Sequence, residues 1–396
     1  MRTAGIICEY NPFHTGHALH IAKTREALGA DTTVICAMSG NFVQRGGAAV
    51  CAKHARAEAA VRAGADLVFE LPTPWAVSSA ERFAQGGVSM LAAAGAEVLS
   101  FGSESGDANM LRRLAKALLS PDFTPILQEE LARGDSFAAA RERALRRLVG
   151  DEAAHIARPN DLLGVEYCKA ILSLGANMDI CCIPRTTAQH DGGAGADGYA
   201  SASHVRKLLC AGEDASAYLT GAMRALYERE CAAGRAPVSL ANLERAMLAR
   251  FRAMDCEDFS PYDEGGEGLY RRLYTASRTA ASLAELFEKV KTKRYAHARV
   301  RRMALCAFLG ITASEARLPL PYLRVLACNA RGRAHLAGLR GGAVPVLTKP
   351  ADVRQLGTAA QRLFETEARC TDLYTLACPA VQEGGAEWKI GPVILE

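Results

Sequence analysis

Three histidines crowd around one glycine in "EYNPFHTGHALH", residues 9–20, directly after the apolar run "AGIICEY". Imidazoles at this density support metal ligation, hydrogen-bond donation to phosphate, or no chemistry at all. Zinc wants a third protein ligand and a fixed carboxylate partner, and Glu9 is the one acid near His14, His17 and His20. Phosphate asks for less. If the apolar run is a strand and the next residues open a helix, unpaired N–H groups and the helix dipole make that corner an anion site. Asn11-Pro12 turns the chain there, Gly16 permits close backbone approach, and His14 and His17, three apart, can face one side. No G-x-x-x-x-G-K-[ST] loop exists to do this work instead. Two imidazole donors suit oxygens whose charge grows as pyrophosphate departs.

Such a corner needs a sheet to hold it. "TAGIICEY", "DTTVICAM", "ADLVFELP", "AEVLSFG" and the later "MDICCIPR" read as strands, near-continuous apolar runs of the kind found in a parallel sheet covered on both faces. Ala-rich helical patterns separate them, including Gly16 to Leu28, "CAKHARAEAAVRAG" ending on Gly64, and "NDLLGVEYCKAILSLG" with Asn160 at its cap. The alternation predicts an α/β fold with a doubly wound, Rossmann-like parallel sheet. "SGNFVQRG" lacks either periodicity and reads as a polar loop, and 188–200 as a flexible Gly-rich loop. Beyond residue 211 helical spacing takes over, at 238–255, 268–290, 295–309, 316–329 and 351–368. The expectation is a catalytic domain over 1–210 and a mainly α-helical domain over 211–396.

Bulk composition narrows the class. Hydrophobic residues make up 49% and charged residues 23% of the 396, a globular balance, and the net charge is only +4. Any polyanion site must therefore come from local clustering. The thirteen cysteines are dilute and form no C-x-x-C pair, which argues against a zinc ribbon or disulfide scaffold. With no secretory leader and no apolar stretch of membrane-spanning length, a cytoplasmic protein without membrane partners is expected.

"HTGH" after a first strand resembles the H-x-G-H signature of the nucleotidyltransferase superfamily, related to class I aminoacyl-tRNA synthetases. The longer blocks "GIICEYNPFHTGH", "MSGNFVQRGGAAV", "ADLVFELP", "FGSE", "NDLLGVEY" and "KTKRYAHARVRR" together look like the bacterial tRNA(Met) cytidine acetate ligase family. The departures are small: Cys8 and Thr15 stand where Ala and Asn are expected, and "GGAAV" replaces a segment usually carrying Glu and Pro.

That resemblance implies two half-reactions. Acetate attacks the α-phosphate of ATP, expelling pyrophosphate, and the acetyl-adenylate then acylates N4 of the wobble cytidine of elongator tRNA(Met). It implies His14 and His17 as catalytic residues. It implies an ATP site formed by Ile7, Cys8, Glu9, Tyr10, Asn11, Pro12, Phe13, His14, Thr15, Gly16, His17, Ala18, Leu19, His20, Gly102, Asn160 and Arg185, with Mg2+ accompanying the phosphates. "SASHVR" resembles the superfamily's Ser/Arg phosphate motif, placing Ser203 and Arg206 near the β- and γ-phosphates. Lys23, further along the first helix, is a candidate for the same phosphates, and Asn41, Gln44 and Arg45 for acetate or cytosine.

Segment 291–302 carries six Lys/Arg and one Tyr with no acid. Unmixed charge beside an aromatic reads as an RNA phosphate footprint, with Lys291, Lys293, Arg294, Arg299 and Arg302 as tRNA contacts, extended by "RGR" at 331–333. DNA is not an expected partner. A small-metabolite adenylyltransferase is the rival enzyme, but a basic helical domain is superfluous to it. A non-catalytic RNA-binding protein would have lost His14, Gly16 or His17. The absence of a second Gly-rich strand–helix turn favours free acetate over acetyl-coenzyme A as donor.

Overall fold

The structure, a computed structural model, describes residues 2–134, 136–185, 199–266 and 268–396, so most of the Gly-rich stretch 188–200 lies outside the described residues. In chain order the strands are β1 (Thr3–Cys8), β2 (Thr33–Ser39), the hairpin β3 and β4 (Phe42–Val43, Gly47–Ala48), β5 (Leu67–Leu71) and β6 (Val98–Ser103). β7 (Asp179–Pro184), β8 (Leu323–Cys328), β9 (Val346–Leu347) and β10 (Val393–Ile394) follow.

Neighbouring residues of β1 show why these strands read as unbroken apolar runs. Ile6 packs with Val34, Cys36, Met38 and Val68 on one face, and Ile7 with Ile35, Ala37, Leu67 and Phe69 on the other. Both faces are covered, so alternation of side chains leaves no polar phase. Helices Thr15–Leu28, Lys53–Arg62 and Ala202–Ala211 close the Ile6 face through Ile21, Ala57 and Val205. Helices Ala80–Ala93, Ala108–Leu118 and Pro159–Leu174 close the other through Val88, Leu111 and Val165.

The sheet order is β10-β8-β5-β2-β1-β6-β7, with β9 beside β8. From β5 to β7 every pair is parallel. The chain winds outward from β1 to β2 and β5, then crosses back to β6 and β7. That reversal opens a crevice at the carboxyl ends of β1 and β6, where doubly wound sheets bind ligands.

Helices Glu244–Ala253, Leu269–Thr279, Leu283–Val290 and His297–Leu309 bury Met247, Phe251, Leu273, Leu286 and Leu305 in a separate core. Phe42 of the hairpin and Tyr374 of helix Thr358–Thr375 enter that same core, which ties the helical part to the sheet.

Two expectations fail. Segment 316–329, expected helical, contains β8, which pairs antiparallel with β5 and is buried throughout. A short apolar run buried on both faces carries no period that separates strand from helix. Residues 211–396 therefore supply both the helical bundle and one edge of the sheet. Asn160 is not a helix cap either. Arg158 holds that position and Pro159 opens the helix.

The returning edge is fastened by buried charge. Lys53 Nζ lies 2.6 Å from both Glu70 Oε1 and Glu387 Oε1, and Arg324 pairs with Glu387 as well. Nearby Glu367 accepts from Thr73 N–H at 2.7 Å. Burial, reinforced by the charge of Glu70, pushes the Glu367 carboxyl up to about 8. No helix among the described residues is long and apolar enough to cross a membrane.

Candidate active site

Helix Thr15–Leu28 begins in the crevice, and its first turn carries no acid, so the positive end of its dipole is left to attract an outside anion. His14 is the N-cap: its Nδ1 accepts the Gly16 N–H at 3.1 Å. His17 completes a reciprocal box, its Nδ1 accepting the His14 N–H at 3.2 Å. An Nδ1 that accepts from an N–H holds no proton, so each neutral ring carries its hydrogen on Nε2. The rings stack with centroids 3.7 Å apart, and buried Tyr10 and Phe13 pack beside His17 at 4.9 and 5.6 Å. The result is a fixed pair of Nε2–H donors.

Electrostatics keep them neutral. Burial, then the charges of Arg185 and Arg206, brings His14 down to about 3. His17 is also held well below its usual value, by burial and then by His14. His20 falls to about 4 for the same first reason. It turns away from the other two, its Nε2 3.1 Å from Ser100 Oγ. Among the described residues no group of three or more His, Cys, Asp or Glu is arranged to hold a metal ion.

The turn before the helix is locked from below. Tyr10 takes a φ of +45°, a conformation that non-glycine residues hold only when their surroundings enforce it. Asn11 Oδ1 accepts the Val50 N–H at 2.8 Å, and Arg206 donates to the Asn11 carbonyl at 2.6 Å. Arg56, fully buried, donates to the carbonyls of Glu9, Ser39, Gly40 and Cys51. One guanidinium thus gathers the carboxyl ends of β1 and β2.

The cleft so formed spans about 1230 Å³ and opens to solvent, with a second lobe toward Lys23, Leu19 and Tyr199. Ile7, Cys8, Glu9, Tyr10, Asn11, His14, His17, His20, Gly102, Asn160 and Arg185 line it. Gly16 and Leu19 border the second lobe. Pro12, Phe13, Thr15 and Ala18 border neither; Phe13 sits in the core under the turn. Gly102 also makes room for a side chain: a Cβ there would lie 3.0 Å from Arg185 Cγ. Arg185 in turn donates to Asn160 Oδ1 at 3.3 Å.

Helix Ala202–Ala211, capped by Ser201, presents a second N-terminus to the cleft, with Ser201, Ser203 and Arg206 on the lining. Gln44 and Arg45 project from the β3–β4 hairpin, which replaces the expected irregular loop. Asn41 does not reach the cleft; it is buried against Thr371 and the Lys53 backbone.

The hairpin also meets the basic segment. Gly46 has φ +72°, and a Cβ there would lie 2.6 Å from Arg302 N, so only glycine fits against the start of helix His297–Leu309. Lys291, Lys293, Arg294 and Arg301 are exposed. Arg299 turns inward to Asp263 at 3.3 Å, and the enclosed Nε of Arg302 has no hydrogen-bond partner. "RGR" at 331–333 does not extend this patch, because Arg331 donates to the Thr32 carbonyl at the opposite edge of the sheet.

Sequence reasoning assigned no role to Arg56, Glu104 or Tyr167. Glu104 caps helix Pro159–Leu174 by accepting from Asn160 Nδ2 at 2.6 Å and from Asp161 N–H at 2.7 Å. Tyr167 closes the cleft's apolar wall with Phe83, Phe101 and Leu163. The contacts of Glu104 span more than fifty positions, and no local pattern carries them.

A parallel sheet with a switch point beside β1 and a histidine-capped helix at that point defines a nucleotidyltransferase. Residues 1–387 match the family model described as HIGH Nucleotidyl Transferase. The tRNA(Met) cytidine acetate ligase of Caldicellulosiruptor saccharolyticus is 36% identical over 95% of this chain and 94% of its own. That of Acetivibrio thermocellus is 34% identical over the full length of both. The crystal structure of Thermotoga maritima TmcAL bound with alpha-thio ATP superposes with a TM-score of 0.93 at 31% identity, covering both chains completely. The chain belongs to the tRNA(Met) cytidine acetate ligase family.

Proposed function

We propose that this protein activates acetate with ATP and transfers the acetyl group to N4 of the wobble cytidine of elongator tRNA(Met). The observation that carries the reading is the stacked pair of imidazoles whose Nδ1 atoms each accept a backbone N–H at the start of a helix, which leaves each Nε2 to donate, on a chain whose full-length relatives bear that name. A cytosine amine is a weak nucleophile because its lone pair is delocalised into the ring, so the acyl group must arrive on a good leaving group. Adenylation supplies one.

His14 and His17 donate through Nε2–H to the β- and γ-phosphate oxygens as the bond to the α-phosphate breaks. Arg185 and Arg206 add positive charge on the same side of the cleft, and the helix N-termini at Thr15 and Ala202 hold further oxygens. The donors are fixed before substrate arrives, which is what makes such electrostatic stabilisation effective. Glu9 is the one carboxylate on the described lining, too few for a protein-built Mg2+ cage. An Mg2+ ion entering with ATP would depend on the phosphates and water for most of its ligands, and would supply charge neutralisation there. The exposed cations of 291–302 face tRNA phosphates, and the adjoining hairpin leads toward the cleft. The reaction belongs in the cytoplasm, where tRNA and ATP meet.

ATP–pyrophosphate exchange tests this directly. Exchange that requires acetate and proceeds without tRNA is expected; exchange indifferent to acetate, or driven by a phosphorylated metabolite, identifies an adenylyltransferase of another class.

A further inference from the structure

Acylation of cytosine N4 releases a proton, and few groups in this cleft can take it. Nδ1 of His14 and Nδ1 of His17 each accept a backbone N–H, while each Nε2 already carries hydrogen. His20 Nε2 is engaged with Ser100. Burial pushes the Cys8 thiol and the Tyr10 and Tyr167 hydroxyls above their usual values, so none is a base near neutrality. Arg45, Arg185 and Arg206 are cations.

Glu9 remains. Its Oε1 accepts the Gln44 N–H at 2.8 Å, which fixes the carboxylate against the hairpin. Its Oε2 accepts no hydrogen bond from the described residues and is not enclosed. Gln44 and Arg45 lie on the same side, and the hairpin tip rests on the backbone of Arg301 and Arg302 in the basic segment. A nucleobase delivered along that segment therefore meets the wall that carries Glu9.

We propose that Glu9 is the general base of the acetyl-transfer half-reaction. Its Oε2 takes one N4 proton as the N4–carbonyl bond forms. The carbonyl C–O bond of the mixed anhydride then breaks, AMP leaves with the electron pair, and the proton passes to solvent. This role rests on the acetate-ligase reading above.

The test supplies chemically prepared acetyl-adenylate and unmodified tRNA(Met) to the full-length protein, both at saturation, and follows N4-acetylcytidine in a single turnover. Glu9→Gln should lower the saturated rate by about 10²-fold or more, the usual worth of a positioned base. It should also abolish the fall in rate that the wild type shows on acidification. Glu9→Asp, which keeps the charge but withdraws it by one methylene, should lie between the two and retain that fall. A Glu9→Gln saturated rate equal to wild type, with only more substrate needed to reach it, overturns the proposal and leaves the proton to the departing phosphate. An unaltered pH profile in Glu9→Gln overturns it too. A wild-type protein unable to use acetyl-adenylate fails earlier, by removing the acetate-ligase reading itself.

Discussion

The proposed function gives His14 a second job beside its cap, and substitution separates the two. Its Nδ1 caps helix Thr15–Leu28, and its Nε2–H faces the cleft. His14→Ala removes both. Loss of an N-cap costs about 1 kcal/mol, a drop in Tm of about 1 °C for a chain of 396 residues. Loss of one transition-state donor costs about 2.7–4 kcal/mol, or roughly 10²–10³ in rate. His14→Asn restores the first without the second: the shorter amide oxygen caps the Gly16 N–H, but nothing reaches the phosphates. Acetate-dependent ATP–pyrophosphate exchange and a thermal melt, measured on both variants, give the answer. The expected result is a near wild-type Tm for His14→Asn with an exchange rate as poor as that of His14→Ala. Exchange that recovers along with Tm would mean that the ring is a cap and nothing more, and the donor argument would fall.

Acid should destabilise the fold through four histidines. His14, His17, His20 and His54 all titrate below the usual 6.5 in the folded chain, chiefly because they are buried. The unfolded chain therefore binds more protons below that value. The contribution of these rings is complete above about pH 6.5 and falls on acidification toward pH 3–4, by up to about 1.4 kcal/mol per pH unit for each ring; denaturant melts across that range measure the slope. Replacing Lys291, Lys293 and Arg294 together with Ala should weaken tRNA binding and reduce its log–log salt slope by about one unit per lost phosphate contact, whereas an unchanged slope marks a merely solvated face. Arg299→Ala should instead lower Tm, because Asp263, only 2% exposed, is left without this partner. Lys53→Met should cost about 3 kcal/mol or more in denaturant titration, since it leaves Arg324 as the one cation of the pair that neutralised buried Glu70 and Glu387.

The parallel half of the fold was legible because its strands are apolar on both faces and its helices are punctuated by glycine. Position after β1 gave the His14–His17 corner its meaning, and the structure adds the tautomer, which no sequence pattern encodes. β8 is buried on both faces, so its residues show no period of two, and its one charge, Arg324, is met in the core by Glu70 and by Glu387, sixty-three residues away. The basic segment was legible as composition but not as orientation. Lys291 and Arg299 look alike in sequence, yet one faces solvent and the other Asp263. Asn160 lines the cleft, but the helix cap that its position suggested is supplied by Glu104 instead.

The central claim is that one cleft both adenylates acetate and delivers it to cytidine. Incubating the protein with ATP, unmodified elongator tRNA(Met) and carboxyl-labelled acetate, then digesting the tRNA to nucleosides, tests it most directly. The account predicts label on N4-acetylcytidine, with AMP and pyrophosphate formed in step with it. Label that arrives only from acetyl-coenzyme A without ATP consumption, or ADP and phosphate as products, would contradict it.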